Sequence, residues 1–400
     1  MVLERSRTGV SADAPVPEDA ATPAGAPEAL ADPAGSVTIA LAQFYPRLGD
    51  RAANLAAHLT IIADAGAAGA GLVVFPELSL TGYFLKDQVP EVALTLDSPE
   101  VDALRESSRA GGIDIVAGLI LESDRHLFHN AAVYISGGEV LHVHRKVYLP
   151  TYGLFDEHRY VAAGDHFRAF DAPLGRRTEH RWRAGILICE DLWHPSAATL
   201  LARQGADLII CPSASPGRGL LQGETVGTAS SYDVMTRTYA QLFTTYVVYC
   251  NRSGFEDGVG FWGGSRVVDP VGSVVAEVRG AQESVLFHTL ERSAVRRARV
   301  AYPLLRDERN DVNDAETDRL RRRHARGCRR LRHRAPPRLH RRRGAQGGVR
   351  ACRGRALRRS RFVGGDRARG VVAGSRQRGR GLHALPEQRP AVTGRRPRGL

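Results

Sequence analysis

Three residues, Glu77, Lys146 and Cys189, supply the side-chain types needed to break a carbon–nitrogen bond next to a carbonyl. A cysteine thiol ionises near pH ~8.5 and attacks only as it loses its proton, so a carboxylate base belongs beside it. Attack on an amide-type carbon places negative charge on oxygen, which a lysine ammonium and backbone N–H groups can hold. The departing nitrogen needs a proton, and the same carboxylate can return it. Water then hydrolyses the thioester. This chemistry calls for no metal or organic cofactor.

Each residue also has a plain reading. The chain holds two lysines, Lys86 and Lys146, against 54 arginines. Arginine therefore serves wherever a generic positive charge will do, and a retained lysine suggests a task needing a compact ammonium. Taken alone, Lys146 would read as a surface residue at a strand end. Cys189 closes the apolar run Gly185–Ile188, and a helix begins shortly afterwards. A sharp strand-to-helix turn exposes a nucleophile and aims backbone N–H groups at it. Free cysteines are more often inert and buried, and Cys211 and Cys250 also end apolar runs. Glu77 follows Val73-Val74-Phe75-Pro76, so it is either a solvated loop charge or a group held over the C-terminal edge of a sheet.

These residues need a scaffold, and the apolar pattern supplies one. Strands are expected at Val37–Phe44, Gly71–Phe75, Ile113–Leu121, Ala131–Ser136, Val140–His144, Ala184–Cys189, Ala206–Cys211, Thr245–Cys250, Gly264–Asp269 and Ser273–Val278. Helices are expected at Asn54–Ala67, Val101–Ala110, Ser196–Gln204 and Thr228–Phe243. Strands alternate with helices and several are apolar throughout, which predicts an α/β protein with sheets covered on both faces. Hairpins at Ala131–His144 and Gly264–Val278 make the sheets mixed.

Composition bounds the rest. The net charge of +13 averages two unlike parts. Residues 321–400 carry 27 arginines, no lysine and two acids, whereas residues 1–320 hold 41 acids against 29 basic residues. Residues 1–36, rich in Ala and Pro, read as a disordered leader without the apolar core of a signal peptide. Residues 37–309 form the folded domain. Residues 310–400 read as a basic, Arg-rich tail, disordered or translated out of frame, and only secondarily as a nucleic-acid-binding arm. No run approaches the roughly 18 apolar residues of a membrane span, so the default location is the cytoplasm. Five cysteines show neither zinc-site spacing nor a disulfide framework.

The order Glu, Lys, Cys and its surroundings resemble the nitrilase (carbon–nitrogen hydrolase) superfamily. Phe75-Pro76-Glu77-Leu78-Ser79-Leu80-Thr81-Gly82-Tyr83 resembles the family's glutamate motif. Arg145–Pro150 with Tyr152–Glu157 resembles its lysine motif, and Ile188–Trp193 its cysteine motif. Ser213–Pro216 and Trp262–Ser265 through Asp269-Pro270 match as well, so the likeness runs from about Val37 to Asp307. It implies an αββα four-layer sandwich that pairs with a second subunit, as a homodimer or higher homo-oligomer. It implies Glu77 as general base, Lys146 as oxyanion stabiliser, Cys189 as nucleophile and Glu157 as a second carboxylate orienting Lys146 or the substrate. The backbone N–H of Glu190 would complete the oxyanion site, and Tyr83 and Ser213 would line the pocket.

The stretches Tyr148–Tyr160 and Cys189–Trp193 are similar to the glutaminase domain of glutamine-dependent NAD synthetases. Phe255–Gly264 is closer to stand-alone amidases and carbamoyl-amide hydrolases. A synthetase would need a Gly-rich phosphate loop downstream, and Gly364-Gly365-Asp366 is too short for one, so a stand-alone amidase is favoured. Nitrile hydrolysis and acyl transfer remain compatible with the triad. The partner is a small-molecule amide, with neither membrane nor nucleic acid expected. Glu77, Lys146 and Cys189 are expected to converge, with Cys211 and Cys250 lying apart from them.

Overall fold

The computed structural model describes residues 35–174, 182–217 and 227–333. Strands β1 (Ser36–Gln43), β2 (Leu72–Val74), β3 (Asp114–Glu122), β4 (Phe128–Ser136) and β5 (Glu139–Arg145) come first. They are followed by β6 (Ala169–Ala172), β7 (Trp182–Ile186), β8 (Leu208–Ser213) and β9 (Tyr246–Asn251). Last come β10 (Ser253–Glu256), β11 (Val259–Trp262), β12 (Arg266–Val268), β13 (Val274–Glu277) and β14 (Ser284–Glu291).

Two six-stranded sheets result, in the orders β14-β1-β2-β3-β4-β5 and β13-β12-β9-β8-β7-β6, and β10-β11 form a separate hairpin. In each sheet the three central strands run parallel (β1-β2-β3 and β7-β8-β9) and the outer pairings are antiparallel. Both sheets are therefore mixed.

Alternation along the strands explains the layering, because successive side chains point to opposite faces. On β1, Ile39 and Leu41 join Val74, Val116 and Tyr134 in the cluster shared with the second sheet, which brings Ile186, Ile210 and Val248. Ala40 and Ala42 turn the other way, with Val73, Ile115 and Val133, onto helices Arg51–Ala67 and Pro99–Gly111 through Ile62, Val101 and Leu104. Helices Pro195–Arg203 and Gly227–Phe243 pack on the second sheet through Leu201 and Ala240. The order of layers is helix, sheet, sheet, helix, the four-layer α/β sandwich anticipated from the sequence. No helix among the described residues is long and apolar enough to cross a membrane.

The differences from expectation are local. The strand set at Ala184–Cys189 ends at Ile186, and Cys189–Trp193 forms a 3-10 turn instead. β6, the β10-β11 hairpin, β14 and the helix Arg292–Ala301 were not anticipated. A helix also spans Asn310–His333, where the composition predicts no ordered element. Pairs three residues apart, Glu316–Arg319 and Asp318–Arg321, support it, and Asp314 accepts a hydrogen bond from Arg203 at 3.0 Å. The compact unit carrying the sheets ends at Arg323. The leader up to residue 34 and the chain from residue 334 onward lie outside the described residues.

One close approach sets up the site. Gly118 on β3 lies against the turn after β2: a Cβ there would sit 2.4 Å from Leu78 N and 2.6 Å from Pro76 O. Gly118→Ala should therefore displace the Pro76–Leu78 backbone, lowering stability by about 1–3 kcal/mol. Thermal unfolding measures that loss, and catalytic activity should fall with it because Glu77 lies in the displaced segment.

Candidate active site

Glu77 sits in the turn that leaves β2, with Leu78 at φ 51°. The turn is tied down from two sides. Leu80 N donates to Gly118 O at 2.9 Å. The Ser79 hydroxyl accepts from Gly118 N at 3.2 Å and meets His58 Nε2 at 2.9 Å. His58 Nδ1 lies 2.7 Å from Asn54 O, which requires its proton on Nδ1 and leaves Nε2 to accept from Ser79. Burial lowers the His58 pKa to about 4, so the ring is neutral and serves as a structural strut. Glu77 is thereby held inside the protein, 1% exposed.

Its carboxylate accepts three hydrogen bonds: Oε1 from Lys146 Nζ (2.6 Å) and Asn130 Nδ2 (2.7 Å), and Oε2 from Ala214 N (2.8 Å). Lys146 immediately follows β5 and is fully buried. Its ammonium donates to Glu157 Oε1 at 2.7 Å as well as to Glu77. Burial works against the charged lysine, but the Glu157 and Glu77 carboxylates outweigh it and raise the pKa well above its ordinary value. Glu157 opens a short helical turn, Glu157–Tyr160, and accepts a short hydrogen bond from the Tyr83 hydroxyl.

Cys189 begins the 3-10 turn after β7 at φ 45°, a left-handed conformation costly to any residue with a Cβ. The strand-to-helix corner foreseen from the sequence is therefore a strained elbow. The thiol interacts electrostatically with Glu77 and Lys146, and its Sγ lies 3.2 Å from the Tyr232 hydroxyl. Burial and the Glu77 charge push the thiol pKa well up, while Lys146 and the Tyr232 hydrogen bond pull it down. The resting group is therefore a thiol.

Hydrogen bonds thus join Glu77, Lys146, Glu157 and Tyr83 into one cluster, and Cys189 interacts with its Glu77 and Lys146 charges. Cys250 lies apart, with its Sγ on Val74 O (3.2 Å) and Ala42 O (3.6 Å). Cys211 is closer than expected. It sits on β8, beside β7, and bonds the Cys189 backbone and the Ser213 hydroxyl. Burial pushes its pKa up to about 12, and no hydrogen bond joins it to Glu77 or Lys146 among the described residues. Ser213 is buried with its hydroxyl turned to Cys211 and Tyr249. From that segment it is the neighbouring Ala214 N–H that reaches Glu77. The Glu190 carboxylate accepts from the Tyr152 hydroxyl at 3.1 and 2.9 Å. His194 stacks on Tyr148, ring centroids 3.5 Å apart.

Sequence reasoning missed Asn130, Tyr232 and the ion pair Arg252–Glu256. The last is buried, and Glu256 accepts hydrogen bonds from Tyr83 N (2.8 Å) and Phe84 N, holding the Tyr83 loop. For Asn130 a signal existed: a lone amide opening the otherwise apolar run Asn130–Ile135. Beside Asn130 and Glu157 lies a cavity of about 130 Å³, lined mainly by apolar side chains including Leu78, Phe84, Ile120 and Phe155. Asn130 Oδ1 and Glu157 Oε2 are buried without a partner among the described residues. Both can accept from a ligand N–H. No group of three or more His, Cys, Asp or Glu side chains among the described residues is arranged to hold a metal ion.

Comparison with known proteins gives a consistent result. A family model described as carbon-nitrogen hydrolase matches residues 38–300. The chain is 32% identical over 254 residues to the glutamine-dependent NAD(+) synthetase of Thermotoga maritima, covering 62% of this chain and 41% of that protein. It thus spans less than half the length of that relative. It is 26% identical over 272 residues to the omega-amidase NIT2 of Mus musculus, covering 66% of this chain and 92% of that one. Among solved structures it resembles an amidase from Nesterenkonia sp. AN1 that carries the acetamide moiety of fluoroacetamide at its active site cysteine. That match has a TM-score of 0.59 and 25% identity, covering 72% of this chain and 98% of that one.

The buried carboxylate pair predicts a pH dependence. Burial raises the Glu157 pKa to about 7; Lys146 opposes the rise and Glu77 adds to it. Above about pH 7 both carboxylates face Lys146 as anions. Below it Glu157 is protonated and no longer pairs with the Lys146 ammonium as an anion. Catalytic activity should therefore fall as pH drops through about 7. Glu157→Gln should lower kcat and remove that limb between pH 5 and 8, which a pH–rate profile of both proteins will reveal.

Proposed function

From the premise that this chain belongs to the carbon–nitrogen hydrolase family, we propose that it hydrolyses a non-peptide amide through a thioester on Cys189 and releases ammonia. The observation that carries this reading is the buried Lys146 ammonium, held by Glu77 at 2.6 Å and Glu157 at 2.7 Å next to the Cys189 elbow.

In this reading Glu77 takes the thiol proton as sulfur bonds to the amide carbon. The carbonyl π electrons move to oxygen, where Lys146 and the Glu190 N–H hold the charge. Collapse of the adduct breaks the carbon–nitrogen bond, and Glu77 returns the proton so that ammonia departs. Glu77 then deprotonates water, whose oxygen attacks the thioester. The second adduct collapses to the carboxylic acid and expels sulfur, which recovers the proton from Glu77. Glu157 steadies Lys146, and Tyr83 steadies Glu157. The partnerless Asn130 Oδ1 and Glu157 Oε2 can accept the amide N–H groups, and the adjoining apolar cavity suits a small aliphatic body.

A second substrate, glutamine, is favoured by Glu190. Its carboxylate and Tyr152 line an open cleft next to the elbow, where an α-ammonium group would find a counter-charge. The similarity to glutamine-dependent synthetases points the same way. A homodimer or larger homo-oligomer is the proposed assembly, supported by exposed Leu200, Val234 and Leu242 on the helices outside the second sheet. A cytoplasmic location remains part of the proposal.

The test is ammonia release from a panel of aliphatic amides, glutamine, an N-carbamoyl amine and a nitrile. At least one should be turned over, Cys189→Ala should reduce turnover to background, and Cys250→Ala should retain it. Full turnover by Cys189→Ala would eliminate the thioester route.

A further inference from the structure

Asp191 is fully buried, and its carboxylate accepts four hydrogen bonds. Oδ1 accepts from Val147 N at 3.1 Å and Tyr148 N at 3.0 Å. Oδ2 accepts from His144 Nε2 at 2.8 Å and Ile188 N at 3.1 Å. Three of these donors bracket Lys146: His144 lies two residues before it, Val147 and Tyr148 directly after. The fourth, Ile188, immediately precedes Cys189. A carboxylate so occupied has little capacity left for a substrate.

The two residues it brackets come from different sheets. Lys146 follows β5 of the first sheet, and Cys189 follows β7 of the second. No strand pairing joins β5 to β7, so the backbone ladders do not set their separation. We propose that Asp191 is a positioning residue, a staple across the sheet interface that fixes the distance between the Lys146 ammonium and the Cys189 sulfur.

The proposal rests on the hydrolase reading for its catalytic meaning, but its physical content can be measured separately. Lys146 lowers the thiol pKa against burial and Glu77, and that pull weakens as the charges move apart. Loosening the staple should raise the thiol pKa. If Asp191 acted only as a buried negative charge, neutralising it would lower the thiol pKa. The other groups facing the thiol (Glu77, Tyr232, Cys211, Tyr83 and Tyr249) are the same in either case.

The experiment uses the full chain. Alkylation of Cys189 by iodoacetamide is followed against pH, read by mass spectrometry on the peptide containing Cys189. In Asp191→Asn the Oδ1 bonds can persist, but the amide nitrogen confronts the Ile188 N–H. The expected result is a thiol pKa higher by about one unit and kcat lower by about 10–100-fold, with KM changed less than about threefold. His144→Ala, which deletes one donor, should shift both in the same direction by less, and His144→Gln, which restores a donor, should recover them. A thiol pKa unchanged or lowered in Asp191→Asn overturns the staple. So does a His144→Ala protein indistinguishable from the parent, and that variant decides the matter if Asp191→Asn does not fold. An alkylation shift of the expected sign with no amide hydrolysed would count against the hydrolase reading alone.

Discussion

The site depends on a lysine ammonium taken out of water. Removing such a charge from solvent costs several kcal/mol unless it is closely paired and its hydrogen bonds are met. Lys146 meets that condition with two carboxylates, and each is anchored by a different part of the chain: Glu77 by Asn130 and Ala214 N, Glu157 by Tyr83. Two acids against one base leave an excess negative charge, which burial disfavours. Glu157 answers by holding its proton up to about pH 7. A guanidinium is broad and planar, whereas an ammonium can direct its protons to two separate acids and still remain a compact point charge. That difference accounts for a lysine at this position in a chain with 54 arginines and one other lysine.

The sandwich exists, from the viewpoint of this charge cluster, to bring strand ends together. Glu77 and Lys146 leave β2 and β5 of one sheet; Cys189 and Ala214 leave β7 and β8 of the other. Close packing of the apolar faces between the sheets resists relative sliding. A shift of either layer would separate the acid from the thiol. The Gly118 contact, the neutral His58 strut and the Arg252–Glu256 pair then remove the remaining freedom of the loops.

Most of the architecture was legible because its strands are apolar enough to declare themselves. What stayed hidden has identifiable reasons. β14 pairs along the whole of β1, yet seven of its eight residues face solvent or are only partly covered, so its pattern is faint. The β10-β11 hairpin carried a usable signal: Asp257-Gly258, both at positive φ, form the two-residue turn that such hairpins favour. The motif residues of the site were readable, and so was Asn130 as a lone amide on an apolar strand. Tyr232 and Glu256 act through contacts between segments far apart in sequence, and no local spacing encodes those.

The backbone at Cys189 also restricts which side chains can occupy this corner. At φ 45° a side chain branched at Cβ would crowd its own carbonyl, so threonine is disfavoured there on steric grounds alone. Serine fits the corner, but its hydroxyl is far harder to deprotonate than a thiol in so dry a setting. For the proposed thioester route, the elbow's shape and its dryness thus narrow the choice to sulfur before any substrate arrives.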